Sequence, residues 1–372
     1  SSPFVFLRAG CHLFYDRLPE AAVLRKAPAA WICGDLHLEN FGSYKGDNRL
    51  VYFDINDLDE AVLAPAAWDP VRFAASVLVG RDSLRVDADG ALALARRYID
   101  AYADALAAGQ ARWVERDTAP SPVRELLAGL RDRRRADFLD GRTVRKGRRR
   151  LIRADGRKAL PAARKQCDAV RALLAEFAAG EPNPDFYEVL DVARRIAGNG
   201  SLGLDRYVIL VRGKGTVDTH YLLDLKEAAP SSLADRTPLA QPKWADEAQR
   251  IVAVQRRVQA VPVAFLHDVH LGRRAYVLRD LQPSQDRVAL AAADADPGRA
   301  ERLVTLMGRI TAWAQLRSSG RQGSAIADDL IDFGQRRKWR AELAAAAREA
   351  AERVQADWRT YAAAYDDGAF AL

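Results

Sequence analysis

The chain has 372 residues, of which 49% are apolar, and its formal net charge is +7. This length allows a substantial core, and we expect two lobes around a cleft. No apolar run approaches the ~20 residues that a membrane-spanning helix needs, which excludes that class of protein. The three cysteines, Cys11, Cys33 and Cys167, have no metal-binding spacing, and no secretory signal opens the sequence, so we expect a cytoplasmic protein.

The first informative segment is Gly34–Gly42, which reads Gly-Asp-Leu-His-Leu-Glu-Asn-Phe-Gly. An aspartate followed five positions later by an asparagine is typical of the catalytic loop of kinase-like phosphotransferases. In such a loop the aspartate accepts the proton of the attacking hydroxyl, and the asparagine amide oxygen binds magnesium. The spacing therefore predicts Asp35 as the base and Asn40 as a metal ligand, with His37 stabilising the loop.

The next segment predicts a β-hairpin that brings a second metal ligand back to Asn40. Apolar runs flank a short Gly/Asp/Asn stretch within residues 41–57, a pattern typical of two antiparallel strands joined by a turn. Magnesium prefers hard oxygen ligands, which carboxylates supply. Three carboxylates compete for the second ligand position, namely Asp54, Asp57 and Asp59.

A helix is predicted to start near Trp68, where a proline directly follows Asp69. Proline suits the first helical position and aspartate suits the capping position, so we expect Asp69 to be an N-cap. Acidic residues at turns are commonly solvated turn formers or caps, and this is the structural alternative for the metal-ligand candidates.

A basic segment occupies the middle of the chain. Residues 131–165 contain fifteen Lys or Arg and four Asp, a net charge of +11 against +7 for the whole chain. Such an excess can attract nucleic acid or another anionic partner. Phe138 is the only aromatic residue in the segment, which disfavours stacking on single-stranded bases. We therefore predict a basic, helical, solvated connector over residues 111–184 and keep nucleic-acid binding as the alternative.

The part that follows predicts a nucleotide-binding lobe over residues 185–290. A glycine-rich loop comes first, formed by Gly198, Gly200, Ser201 and Gly203. A Val- and Ile-rich strand follows it instead of a helix, which favours a lid over ATP phosphates and disfavours a dinucleotide-binding turn. The strand Tyr221–Glu227 then carries Lys226, for which we predict contact with the α- and β-phosphates. A solvated lysine at a strand end is the alternative.

The helix predicted over Trp244–Val258 takes the place of the kinase helix that supplies a lysine-orienting glutamate. Glu247 is the nearest candidate for that role, and Gln255 is an alternative. The strand Tyr276–Pro283 follows and leads into a linker, where adenine would bond to backbone groups between the lobes. Arg279 lies on this strand and is a supporting candidate.

The C-terminal part predicts two helices. Leu303–Leu316 has the periodicity of an amphipathic helix, and an Ala-rich sequence from Trp339 predicts a long helix that ends near residues 366–368. The long helix is expected to pack through one stripe, formed by Leu343, Ala347, Val354, Trp358, Tyr361 and Tyr365.

The order of these parts is unusual, because ordinary kinases begin with the glycine loop. We therefore predict an α+β, two-lobed, protein-kinase-like fold that is circularly permuted, with a mainly helical C-lobe and a smaller antiparallel-sheet N-lobe. Relocated chain ends are physically reasonable since termini commonly lie at the surface. The catalytic part of the C-lobe is assigned to residues 1–110, the connector to 111–184, the N-lobe to 185–290 and the completing helices to 291–372.

The metal-binding region is similar to that of the aminoglycoside phosphotransferase-like kinases. Residues 56–61, followed by Trp68-Asp-Pro, resemble their metal-binding strand end and the helix start after it. The resemblance implies Asp57 as the metal ligand, because Asp57 lies twelve positions before Asp69 as in that pattern. The segment ending at His37 resembles their His-Gly-Asp-Leu-His loop, with Cys33 in place of the first histidine. The resemblance also implies ATP and Mg as cofactors.

A second resemblance covers most of the chain. Gly34–Gly42, Trp68–Ser76, Gly198–Gly203 and Tyr276–Arg279 are similar to segments of an uncharacterised bacterial domain-of-unknown-function family, numbered 2252. That family's name implies no activity. The functional prediction therefore depends on the motifs themselves.

These motifs together predict a magnesium-dependent ATP phosphotransferase, kinase-like, that acts on a small-molecule or peptide hydroxyl. Transfer of AMP from a flipped nucleotide is an alternative within the same class. The alternative from another class is a nucleotide-binding pseudokinase, or a basic scaffold that binds nucleic acid or a protein partner through residues 131–165.

Overall fold

A computed structural model of the chain describes residues 2–147, 149–196, 203–282 and 298–369. Within these ranges the protein has a mixed α+β fold with a six-stranded antiparallel sheet, and this part of the predicted fold class is confirmed. Of the predicted glycine loop, Gly203 is described, and it adopts a left-handed conformation with φ of +87°. The other three members, Gly198, Gly200 and Ser201, lie outside the described residues.

The N-terminal part consists of helices and two small sheets. In chain order its elements are α1 (Pro3–Ala9), α2 (Cys11–Asp16), α3 (Ala22–Lys26), β1 (Ala29–Ile32), β2 (Phe41–Lys45), β3 (Val51–Ile55), β4 (Val62–Pro65), α4 (Trp68–Val79), α5 (Arg81–Leu84) and α6 (Ala88–Ala108). Strands β1 and β4 pair antiparallel. Strands β2 and β3 also pair antiparallel, with Phe41 opposite Ile55, which confirms the predicted hairpin. The segments after β1 and after β3 therefore lie side by side.

The basic segment is less helical than the connector that the sequence predicts. Its elements are α7 (Val123–Asp132), α8 (Arg135–Asp140), β5 (Thr143–Lys146), β6 (Arg149–Ile152), β7 (Ala159–Pro161) and α9 (Arg164–Ala179). Strands β5 and β6 form a hairpin whose turn contains Gly147 at φ +60°. Along β6, Arg150 and Ile152 are both buried and the residues beside them are more exposed, which is the two-residue period of a strand.

The large sheet follows the basic segment and also incorporates it. Its strands are β7, β8 (Val189–Arg195), β9 (Arg206–Val211), β10 (Tyr221–Glu227), β11 (His267–Leu271) and β12 (Arg274–Asp280), in the spatial order β11-β12-β10-β9-β8-β7. All neighbours in this order pair antiparallel. The predicted strand at Tyr221–Glu227 is confirmed in full. Helix α10 (Glu247–Val258) lies between β10 and β11 in the chain and begins three residues later than predicted, because Asp246 caps it.

The two faces of the sheet have different environments. Leu223 and Leu225 of β10 pack with Val170 and Leu174 of α9 in one hydrophobic cluster. The side chains that alternate with them, including Lys226, point to the opposite face, which looks toward the N-terminal part. The period of two along β10 therefore separates a face that packs against α9 from a face that carries Leu222, Asp224 and Lys226, which we call the polar face.

The C-terminal helices are α11 (Gly298–Arg317), α12 (Ala327–Gln335) and α13 (Lys338–Asp366), which confirms the two predicted helices. They pack against α4 and α6 in the largest hydrophobic cluster. Along α13 the expected stripe is buried as far as Val354, whereas Tyr361 and Tyr365 are 40% and 62% exposed. The reason is length, since α13 has 29 residues and α4 has 12. No helix in the described ranges is long and apolar enough to cross a membrane.

Candidate functional site

A cleft of about 780 Å³ lies between the N-terminal part and the polar face of the sheet. Seven predicted site residues line it: Asp35, His37, Asn40, Asp57, Asp59, Lys226 and Arg279. Asp54, Gly203 and Glu247 do not line it. A larger cavity of about 1090 Å³ lies against α6 and α11 and contains none of the predicted residues. The smaller cleft is therefore the candidate site.

The backbone of the predicted catalytic loop is held by a buried carboxylate. Cys33 and Gly34 donate their amide hydrogens to the two oxygens of Asp69, over 2.7 and 3.0 Å. The predicted N-cap role of Asp69 is wrong, because the residue lies inside α4 and Ala67 occupies the cap position. Burial raises the pKa of Asp69 to about 7, while the two amide hydrogen bonds act in the opposite direction.

Gly34 allows the loop to approach the segment after β3. Its φ of +82° is in the left-handed region, and a Cβ atom there would lie 2.4 Å from the carbonyl oxygen of Glu60. Tyr15 fixes the same residue by donating its hydroxyl hydrogen to the Gly34 carbonyl oxygen over 2.6 Å. A side chain at position 34 would push the loop away from Glu60 and change the floor of the cleft.

Asp35 extends from this loop into the cleft, with 24% of its side chain exposed. Its Oδ1 accepts hydrogen bonds from Nε of Arg72, over 3.1 Å, and from Nη2 of the same residue. Arg72 is fully buried and also donates to the Leu7 carbonyl oxygen over 2.8 Å. Burial raises the pKa of Asp35 to about 6, although Arg72 acts in the opposite direction. The group is therefore a stronger base than a solvated carboxylate and is ionised at neutral pH.

His37 is buried and supports the turn of the loop. Its Nδ1 accepts the amide hydrogen of Glu39 over 3.1 Å, so the ring proton of the neutral imidazole is on Nε2. Nε2 lies 3.8 Å from Oδ2 of Asp35, and the ring meets the edge of Phe4. His37 thus places its Nε2–H group near Oδ2 of Asp35, the carboxylate oxygen that Arg72 does not bind.

Asn40 and Asp57 are neighbours, as the hairpin predicts. The amide of Asn56 donates to the carbonyl oxygen of Asn40 over 3.0 Å, and the Cys33 thiol donates to the carbonyl oxygen of Asp57 over 3.0 Å. The side-chain nitrogen of Asn40 donates to the carbonyl oxygen of Asp35 over 2.6 Å, which directs the amide oxygen elsewhere. Burial raises the pKa of the Cys33 thiol, so it remains a neutral donor at this position.

The atoms at this position fit magnesium. Asn40 offers an amide oxygen and Asp57 a carboxylate, and magnesium in nucleotide-binding proteins takes few protein ligands and completes its shell with phosphate oxygens and water. Among the described residues, no group of three or more His, Cys, Asp or Glu has the arrangement of a metal cage. A magnesium ion held by Asn40 and Asp57 would complete its shell with phosphate oxygens and water.

The three competing aspartates lie in different environments. Asp54 is buried away from the cleft and pairs with Arg317 over 3.2 Å. Asp59 lines the cleft but forms an ion pair with a lysine of the sheet. Asp57 lines the cleft beside Asn40, and its role as a metal ligand stays a prediction. Asp35, Asp57 and Asp59 together form what we call the acidic floor.

Lys226 connects the sheet to the acidic floor. It is 6% exposed and its Nζ pairs with the Asp59 carboxylate. Burial lowers the pKa of Lys226, while Asp57 acts in the opposite direction. Glu247, predicted to orient this lysine, instead pairs with Arg250 over 2.5 Å, because the first turn of α10 directs it along its own helix. Asp59 is thus the carboxylate that contacts the lysine.

Three arginines surround one buried aspartate on the same face of the sheet. Arg206 donates two hydrogen bonds to Asp224, over 2.9 and 2.6 Å. Nη1 of Arg195 and Nε of Arg279 lie 2.8 and 3.6 Å from the Asp224 oxygens. Burial alone would raise the pKa of Asp224, but Arg195 and Arg206 hold it well below its usual range. We call Arg195, Arg206 and Arg279 the arginine cluster.

The basic segment contributes to the cleft and to the fold. Four of its basic side chains line the cleft, Arg142, Arg153, Arg157 and Lys158, and the exposed Asp155 lines it with them. Arg150 is buried and donates to Asp140 over 2.6 Å and to Asp218 over 2.7 Å. The segment is therefore attached to the fold through Arg150, while most of its other described side chains are exposed or half-buried, and its role as a connector between lobes stays a prediction.

Four residues of this site were not identified from the sequence, namely Arg72, Arg195, Arg206 and Asp224. Arg72 gave a signal, since it is the only charged side chain among the apolar residues that follow Pro70 in α4. Asp224 gave another, since it alternates with leucines on β10 in phase with Lys226. The two remaining arginines flank the glycine loop in the sequence, and nothing in their spacing singles them out.

Comparison with known proteins identifies a family without an activity. The family model described as "Uncharacterized protein conserved in bacteria (DUF2252)" matches residues 1–364. Neither the curated proteins nor the solved structures gave a match to the chain. The family description names no reaction, so the chemistry has to be inferred from the cleft.

Proposed function

This chain belongs to the bacterial family DUF2252, and we propose that it is a magnesium-dependent phosphotransferase that moves a phosphorus-containing group from ATP to a hydroxyl. The acceptor is a small molecule or a peptide. One observation carries the proposal: the acidic floor and the cations of the sheet face each other across one cleft. The floor offers a base and metal ligands, and the sheet offers positive charge for phosphates, which are the parts that such a transfer needs.

The order of the elements supports a kinase-like arrangement. Strands β8 and β9 flank residues 197–202, β10 carries Lys226, and α10 precedes β11 and β12. Glycine loop, lysine strand, helix and hinge strand follow one another in this order in kinases. The catalytic loop comes earlier in the chain and α11 comes later, as a circular permutation requires. We therefore infer two lobes, residues 1–110 with 291–372 and residues 185–290.

Asp35 has the geometry of the general base. Arg72 binds Oδ1 and fixes the carboxylate, so Oδ2 is the oxygen that accepts the proton of the attacking hydroxyl. A positioned base of this kind contributes about 10²- to 10⁴-fold to a rate. Asp69 acts through the backbone, because it holds the loop that presents Asp35.

Asn40 and Asp57 would hold the magnesium ion, which neutralises charge on phosphate oxygens. Lys226 would exchange its Asp59 partner for a phosphate oxygen, and this exchange replaces one anion by another around a buried cation. The cost of leaving the buried ammonium unpaired is thereby avoided. The arginine cluster adds further positive charge at the same face.

Nucleotide binding provides the test of this proposal. Thermal unfolding is measured with ATP and magnesium, and with ATP alone, for the wild type and for Asp57→Ala. A ligand that binds only the folded state stabilises it by RT ln(1 + [L]/Kd), or about 2.7 kcal/mol at a hundredfold excess over Kd. We expect a magnesium-dependent increase in melting temperature in the wild type that Asp57→Ala loses.

The matched control is Asp82→Ala, which removes a carboxylate whose side chain is 97% exposed. This variant should retain the magnesium-dependent stabilisation in full. If ATP stabilises neither the wild type nor the control at any magnesium concentration, the phosphotransferase proposal is wrong.

The pseudokinase or basic-scaffold alternative receives less support from the geometry. Two arginines at the centre of the basic segment, Arg145 and Arg150, both pair with Asp140 and Asp218. The two aspartates thus neutralise the charge of the two arginines within the fold. We also propose a cytoplasmic location, because the three cysteines are free thiols and a reducing compartment keeps them so.

A further inference from the structure

We propose that ATP binds with its triphosphate tail on the arginine cluster, so that the acceptor attacks the α-phosphorus and the protein transfers AMP. This inference rests on the proposed function and specifies which phosphorus reacts. It assigns the β- and γ-phosphates as the ligand of the arginine cluster, to which the proposed function gives only a general positive charge.

The first argument is the position of the cations. Lys226 and Asp224 are two residues apart on β10 and therefore lie on one face, about 7 Å apart along the strand. Arg206 lies opposite Lys226 on β9, and Arg279 lies opposite Asp224 on β12. The positive charge thus continues from the acidic floor along the sheet for a length that suits a chain of phosphates. An adenine ring is uncharged and would gain little from a row of cations.

The second argument is the charge balance. On the sheet itself, Lys226 and the arginine cluster are four cations and Asp224 is the one carboxylate among them, so this face is positive, and the remaining counter-charge comes from the acidic floor across the cleft. Nε of Arg279 is buried and makes no hydrogen bond to any described residue, and Nη1 of Arg195 is buried against the Asp224 carboxylate at 2.8 Å. Burial lowers the pKa of Arg195 to about 10, yet the group stays charged at neutral pH. Several cations buried around one carboxylate favour an anionic ligand.

The third argument is that the apolar end of the cleft offers little open surface. Val208, Leu222 and Leu281 line the cleft beyond the arginine cluster, where a hinge-bound adenine would be expected. These side chains pack against Leu139 and Ile152 of the basic segment, and all five are at most 9% exposed. Side chains this little exposed give a purine little apolar surface to pack against. The nucleoside therefore lies toward the opposite, exposed end of the cleft.

The reaction that follows is balanced. The hydroxyl oxygen of the acceptor forms a bond to the α-phosphorus while the bond from that phosphorus to the α,β-bridging oxygen breaks. Pyrophosphate leaves with the electron pair, held by the arginine cluster, and the hydroxyl proton moves to Oδ2 of Asp35. The products are an AMP ester of the acceptor and pyrophosphate. With water as the acceptor, the products are AMP and pyrophosphate.

Binding of inorganic tripolyphosphate tests the orientation without turnover. Calorimetry with magnesium compares tripolyphosphate and AMP on the wild type, on Arg279→Met and on Arg274→Met, a control on the same strand whose side chain is 59% exposed. We expect Arg279→Met to weaken tripolyphosphate at least about tenfold and to leave AMP unchanged, since the lost cation faces the phosphate tail. Arg274→Met should change neither affinity. Equal weakening of AMP and tripolyphosphate, or unchanged tripolyphosphate binding, overturns the inference.

Arg195→Met serves as the second variant if Arg279→Met does not fold, with the same expected pattern. Product analysis on the wild type adds an independent arm, with ATP labelled at the α- or the γ-phosphorus and water as acceptor. AMP with pyrophosphate supports the inference, whereas ADP with phosphate overturns it but leaves the phosphotransferase proposal standing. If neither product forms, the tripolyphosphate pattern decides. If ATP does not bind at all, both proposals fail.

Discussion

In the described part of the protein, two aspartate–arginine sites lie on opposite sides of one cleft, at the half-buried Asp35 and the buried Asp224, and they differ in the ratio of arginine to aspartate. Asp35 has one arginine, Arg72, which binds a single carboxylate oxygen. Asp224 has three arginines, which approach both of its oxygens. The pKa of Asp35 is raised to about 6 because burial outweighs one arginine, whereas the pKa of Asp224 is well below its usual range because the arginines outweigh burial.

The number of arginines around each aspartate gives the two aspartates different functions. A carboxylate with one partner keeps an oxygen that can accept a proton, which suits a base. A carboxylate with three partners cannot act as a base, and it serves as a counter-charge that keeps several arginines together. The cations that it leaves in excess then attract an anion. The ratio of arginine to aspartate thus distinguishes the proposed catalytic side of the cleft from the proposed phosphate-binding side.

The largest effect is expected for Asp35→Asn, which keeps the shape of the side chain and removes the base. Turnover of ATP should fall about 10³-fold, equivalent to about 4 kcal/mol of activation free energy, because the attacking hydroxyl loses its proton acceptor. Binding of magnesium-ATP, measured by thermal unfolding, should persist. Asp82→Asn, at an exposed position, should leave turnover unchanged. Turnover within twofold of wild type in Asp35→Asn would show that this side of the cleft does not act as a base.

A comparable change on the other side, Asp224→Asn, should act on stability. Removal of the counter-charge leaves three arginines unneutralised in a buried position, and breaking such a network typically costs about 3–5 kcal/mol. Urea unfolding measures this loss. Tripolyphosphate should restore more stability to Asp224→Asn than to the wild type, because it supplies the missing negative charge. Asp268→Asn, at an exposed position of the same sheet, is the control and should change little.

Equal stabilisation of Asp224→Asn and the wild type by tripolyphosphate would contradict the phosphate-binding role of the arginine cluster. The cluster would then be a structural ion network only. The two aspartates would then differ in pKa, but the arginines around Asp224 would have no function in binding phosphate.

Much of the local structure could be predicted because its signals are short in range. The hairpin at β2 and β3 follows from apolar runs around a turn sequence, and β10 follows from its alternation of side chains. The helices α11 and α13 follow from their periodicity. The proximity of Asn40 and Asp57 could also be predicted, because a hairpin returns the chain to its starting point.

Contacts between distant segments could not be predicted in the same way. Asp69 has the sequence context of a helix cap, and only the tertiary packing shows that it binds the amides of Cys33 and Gly34. Glu247 stands at the expected separation from Lys226, but the direction of the first turn of α10 decides its partner. Charge partners of long side chains depend on three-dimensional geometry that spacing along the chain does not encode.

The smallest effect is expected from a third kind of charge, an exposed arginine with no part in either aspartate site. Arg149 lies on β6 beside Arg150, and the two point to opposite faces of that strand, so Arg149 is exposed and Arg150 is buried. Arg149→Glu should change stability by no more than about 0.5 kcal/mol, as surface substitutions usually do. Arg150→Met, measured alongside, should destabilise more, because it leaves Asp140 and Asp218 without a partner they share.

Fluorescence anisotropy with labelled RNA tests the scaffold alternative on the same pair of variants, Arg149→Glu and Arg150→Met. Loss of a tight, salt-sensitive RNA affinity in Arg149→Glu would favour that alternative, whereas no such affinity in the wild type leaves the cleft as the site where the positive charge is used.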